Sequence, residues 1–170
     1  MRYLWTSAIA VCFCVQLLGL GAAQVRDAAL EELIQQLNDK DVERRRDATY
    51  ELVRRGDKSD AVITALGKAT ADDDTQVRVQ SLTGLARAGK HAESAIPALL
   101  ECLGNRDPQV RYRAAGALGA IGNAALEPLI SHWARASNDS KIATAQALAI
   151  LGPKASAATP LLTEGLNGND

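Results

Sequence analysis

A chain of 170 residues is long enough for one domain or a short repeat array. With 47% apolar and 23% charged residues and a formal net charge of −1, it is not a disordered chain, and it carries no global basic footprint for nucleic acid. Aromatics are only 4% while Ala, Leu and Gly abound, which favours close-packed helices over a β-sandwich.

Residues 1–23 read as a secretory signal peptide. Arg2 and the amino terminus give a positive start, Ala8–Leu20 is an apolar run broken only by Gln16, and Gly21-Ala22-Ala23 supplies small residues for cleavage before Gln24. The run is shorter than the roughly 20 apolar residues of a spanning helix, so no stable membrane span is expected after cleavage. An uncleaved signal anchor is the alternative. Residues 24–170 then form the mature domain, periplasmic or secreted, with 18 Lys+Arg against 20 Asp+Glu once Arg2 is removed. Its one cysteine, Cys102, is either buried or an intermolecular cross-link; the surrounding Leu99, Leu100 and Leu103 favour burial.

From Val25 the pattern becomes helical. Leu30, Leu33, Ile34 and Leu37 share one face at period 3.6. Then comes DVERRRDATYELVRRG, Asp41–Gly56, which returns as DTQVRVQSLTGLARAG, Asp74–Gly89, and as DPQVRYRAAGALGAIG, Asp107–Gly122, at a spacing of 33. A worn fourth copy, SNDSKIATAQALAILG, ends at Gly152 after a step of 30. A fixed period of this length marks a repeat array. Each unit reads as an outer helix, a turn at the Asp, an inner helix and a Gly stop. Asp74 and Asp107 stand at helix N-caps, and Pro108 at the proline-tolerant N1 position. Gly56, Gly89, Gly122 and Gly152 stand where a positive φ ends a helix. Leu52, Leu85, Leu118 and Leu148, with Val77 and Val110, mark the buried face. The units span about 25–56, 59–89, 93–122 and 124–152, with a lone helix near 155–167.

The run P-x-L-L-x-x-L followed by D-x-x-V-R-x-x-A-x-x-A-L-G-x-I-G over residues 97–122 resembles a HEAT repeat, of the short bacterial kind seen in phycobilin-lyase-type proteins. The resemblance implies an all-α, right-handed α-solenoid of antiparallel helix pairs, about four and a half repeats long. It also implies a structural ladder between units, built from Asp41 and Arg45, Asp74 and Arg78, and Asp107 and Arg111. In the fourth unit Ser137 and Lys141 replace the pair, and Asn138 or Asp139 is the expected cap.

Inner helices line the concave face of such solenoids, the usual binding face. Candidate contacts there are Arg46, Tyr50, Gln80, Thr83, Arg87, Tyr112 and Arg113. The cluster Arg44-Arg45-Arg46 and Arg54-Arg55 is interleaved with acids, and pairs such as Asp41–Arg45 and Glu51–Arg55 suit a salt-bridged surface better than a polyanion site. His91 and His132 belong to no metal-ligand spacing and no catalytic motif, and the His-Glu dipeptides of HEAT-like hydroxylases are missing. The expectation is therefore a protein-binding or scaffolding module with no catalytic residues, no metal, no cofactor and no nucleic-acid partner. A lyase-like or ligand-carrying accessory protein of the bilin-lyase type is the alternative.

Asp170 falls in register to open a fifth inner helix, and Leu162 and Leu166 of the last outer helix would lack a partner. Either the chain is a truncated member of a longer family, or another protomer or partner covers that end. Self-association through the carboxyl-terminal end is expected on either account.

Overall fold

A computed structural model describes residues 27–158, together with Pro160 and Thr163. The expected signal segment 1–23 and the terminal leucines Leu162 and Leu166 lie outside the described residues.

The fold is an α-solenoid, and no strand occurs among the described residues. Its outer helices are α1 (27–36), α3 (Asp60–Ala69), α5 (Ile96–Cys102) and α7 (Leu126–Trp133). Its inner helices are α2 (Val42–Arg55), α4 (Thr75–Ala88), α6 (Pro108–Ile121) and α8 (Asn138–Leu151), each of 14 residues. The equal lengths follow from one start signal and one stop signal repeated in register. At the start, the side chains of Asp41, Asp74, Asp107 and Ser137 accept backbone N–H groups that the first turn leaves free. Ser137 itself caps α8 by accepting from the Ser140 N–H at 3.4 Å, so neither Asn138 nor Asp139 is needed there. At the stop, the chain leaves the helix with positive φ, for example +91° at Gly122, a conformation that costs other residues a Cβ clash.

The inner helices α4, α6 and α8 each pack on the outer helix of their own unit, and α2, α4, α6 and α8 pack in succession on one another as one continuous layer. The units are joined after Gly89 and Gly122 by 3-10 turns, Gly89–Ala95 and Asn123–Ala125. Ala92, Ala95 and Ala125 are buried there. The core is the repeated set expected from spacing. Leu52, Leu85, Leu118 and Leu148 are buried, as are Val77 and Val110, with Leu99, Leu103 and Leu129 filling from the outer side. Cys102 is buried with its Sγ 3.8 Å from the Thr70 carbonyl, and burial pushes its thiol pKa up. That placement removes it from cross-linking.

Candidate docking face on the inner helices

The polar ladder that spaces the units differs from the one the repeat pattern implies. Asp41 does not pair with Arg45; its carboxylate accepts from the Glu43 N–H at 3.0 Å. Arg45 instead reaches into the next unit and grips Asp72 with two bonds, Nε to Oδ2 at 2.8 Å and Nη2 to Oδ1 at 3.0 Å. Its remaining Nη1 donates to the Asp39 carbonyl of its own turn at 3.0 Å. A second inter-unit pair joins Arg46 to Asp74, which also caps α4. The Arg46 guanidinium beside it holds the Asp74 carboxyl down at about 2, against an ordinary value of 3.8.

The physical reason is geometric. An arginine at the fourth helical position points back over the turn, towards the carbonyls six and five residues before it. Arg78 donates from Nη1 to the Asp72 and Asp73 carbonyls, and Arg111 does the same to Asn105 and Arg106. What lies beyond each turn then decides whether an inter-unit pair forms. Asp72 answers Arg45. One period later stands Asn105, and Arg78 Nε is buried with no partner among the described residues. Arg111 finds only the exposed Asp139, at 3.4 Å. Asp107 acts as a cap alone, accepting from the Gln109 N–H. Lys141, at the Arg position of the fourth unit, sits over the Trp133 ring, 5.8 Å from its centroid.

The basic run of α2 is neutralised locally. Glu51 takes both Arg54 and Arg55, at 2.7 and 2.9 Å, and Arg44 pairs with Asp39. His132 on α7 lies against the Ser140 hydroxyl at 2.8 Å, and partial burial lowers its pKa. His91 is exposed in the turn after Gly89. Among the described residues no group of three or more His, Cys, Asp or Glu side chains converges to hold a metal ion.

The seven candidate contacts fall on α2, α4 and α6 and divide into three kinds. Tyr50 and Tyr112 are exposed, at 60% and 65%, and Arg113 is exposed with no hydrogen bond or ion pair among the described residues. Arg87 is exposed, but one of its Nη atoms donates across to the Val53 carbonyl on α2 at 3.1 Å. Arg46 is committed to the ladder, Thr83 donates to the Val79 carbonyl of its own helix, and Gln80 is half-buried.

Two residues of this face escape a sequence reading. Ile142 and Ile150 on α8 are 61% and 56% exposed. With Tyr50 and Tyr112 they are the exposed large hydrophobic side chains among the described residues, and all four project from the inner layer. Their register held the clue. Stepping by the repeat, Arg46, Val79, Tyr112 and Ile142 share one position, and Arg54, Arg87, Ala120 and Ile150 another. The shorter last step, 30 residues rather than 33, hides the match. Between these side chains the surface is low: a Cβ added at Gly116 would meet nothing within 4 Å, while Gly119 lies directly under Ile150.

Two stretches of the sequence, 63–149 and 96–170, match the HEAT repeat family, together spanning more than half of the chain. The chain belongs to the HEAT repeat family. No curated protein matches it. Among solved structures it is similar to a designed armadillo repeat protein in complex with a (KR)4 peptide, at 18% identity and a TM-score of 0.55, covering 87% of this chain and 78% of that one. It also matches an engineered protein from a structural-genomics consortium at 22% identity and a TM-score of 0.48. That match covers 72% of this chain and 62% of the engineered one, less than two thirds of its length. These likenesses are of fold.

Proposed function

We propose that this protein is a protein-binding module that docks a polypeptide segment on its inner-helix layer. One observation carries the reading: Tyr50, Tyr112, Ile142 and Ile150 are all exposed on the same layer. Exposed apolar side chains scattered singly need no explanation, but a set confined to one face of a stacked array marks an interaction surface. Tyrosine is also among the residues that dominate interface energetics. The designed armadillo repeat protein of similar fold is bound to a peptide, which is consistent with a peptide-sized ligand on a fold of this kind.

The test is a selection of displayed random peptides on residues 24–170, followed by the Tyr112→Ser and Ile142→Ser variants. Enriched peptides that bind the parent and lose about tenfold or more in affinity to each variant, at unchanged melting temperature, support the reading. Peptides that bind both variants as well as the parent contradict it. The reading further places the protein outside the cytoplasm, supported by the apolar run and small-residue cleavage pattern of residues 1–23. An exported form beginning at or near Gln24 by mass spectrometry is the expected result; an intact Arg2 on that form contradicts cleavage.

A further inference from the structure

Resting on that reading, we infer that the α6–α8 half of the inner layer takes an extended peptide segment in which an aliphatic or aromatic side chain lies next to an acidic one. Tyr112, Ile142 and Ile150 stand exposed around a low strip at Gly116 and Ala120, a shape that admits a backbone between protruding side chains.

Charge around the strip is set by which ionic groups on the layer are already paired. Of the carboxylates on the inner layer, Asp74 and Glu43 pair with Arg46, Asp139 with Arg111, and Glu51 with Arg54 and Arg55. On α4, α6 and α8 four cations are not matched by any carboxylate: Arg78 is spent on its own turn and Lys141 lies over the Trp133 ring, which leaves Arg87 and Arg113. Arg113, adjoining Tyr112 in sequence, has no partner among the described residues, and Arg87 has only a carbonyl. Asp47, which has no ion pair among the described residues, lies on α2, and the caps Asp41 and Asp107 accept backbone N–H groups rather than a cation. The strip is therefore bordered by uncompensated positive charge. A carboxylate on the ligand gains a charge-assisted contact there, while a lysine or arginine faces like charge and a desolvation cost. Two cations are too few for a phosphate backbone, whose recognition rests on many such contacts.

The experiment uses two peptide libraries on residues 24–170. Both carry random aliphatic and aromatic positions; one has a fixed central Glu and the other a fixed central Lys. Binding is read on the parent, on Arg113→Glu and on Tyr112→Ser. The expected result is enrichment from the Glu library on the parent, roughly tenfold above the Lys library, and inversion of that preference on Arg113→Glu. Tyr112→Ser should weaken binding from both libraries. Equal or reversed preference on the parent, or a preference that Arg113→Glu leaves unchanged, overturns the inference. If that happens while Tyr112→Ser still abolishes binding, the docking face stands and the acidic partner falls. Binding from either library that ignores Tyr112→Ser removes both. Circular dichroism on each variant separates loss of contact from loss of fold.

Discussion

The polar residues of the turns show how one atom decides an inter-unit contact. Asp72 and Asn105 are one period apart, and each accepts its neighbour's backbone N–H with Oδ1, from Asp74 at 2.8 Å and from Asp107 at 2.9 Å. Asp72 has a second carboxylate oxygen left for Arg45 Nε; Asn105 has an amide there instead, and Arg78 Nε stays unpaired. A buried unpaired donor is destabilising because its bond to water has been lost. Asn105→Asp should therefore raise the urea midpoint, and Arg78→Met in that background should lose the gain. An unchanged or lower midpoint for Asn105→Asp would show that the carboxylate cannot reach. The second residue-scale consequence concerns acid. Asp74 has a folded-state pKa of about 2, below its ordinary 3.8, chiefly because Arg46 hydrogen-bonds its charged form. A depressed carboxylate contributes stability that is present above about pH 3.8 and fades as pH falls towards 2. Carboxyl resonances followed by NMR should give Asp74 a midpoint near 2, and Arg46→Met should move it up; a midpoint near 3.8 in the parent contradicts the pairing.

At the scale of the helices, the equal inner helices were legible in the sequence because their signals are local. Caps, glycine stops and the leucine four residues before each glycine need only a few neighbouring residues to act. The partner of each arginine was not legible, because it depends on which residue the next unit places beyond the turn. The docking face was half legible for the same reason: Tyr50 and Tyr112 are conspicuous by type, whereas Ile142 and Ile150 look like core until the layer's orientation is known. Ile150 also fixes how α8 meets α6. A Cβ on Gly119 would come within 2.6 Å of the Ile150 Cβ and strike its Cγ2 as well. Those atoms sit close to the backbone and cannot swing aside, so Gly119→Ala should destabilise by about 1–3 kcal/mol. Ile150→Ala should recover part of that loss, giving a non-additive double-mutant cycle in denaturant unfolding. Strict additivity would mean that the two helices do not meet at this point.

For the whole molecule, stacking four near-copies produces a continuous layer whose inward side is buried leucine and alanine and whose outward side is free to vary. The period of 33 predicts the array, and the core follows from it. What varies on the free side is where function is encoded: charged and self-neutralised on α2, apolar on α6 and α8 beside the unmatched Arg87 of α4 and Arg113 of α6. The central claim is that this side of the layer is the docking face, and amide chemical-shift mapping of residues 24–170 with a selected peptide tests it most directly. The account predicts shifts centred on α6 and α8 around Tyr112, Gly116, Ile142 and Ile150, with α5 and α7 little changed. Shifts centred on the outer helices α5 and α7, with Tyr112 and Ile142 unmoved at saturation, would contradict it.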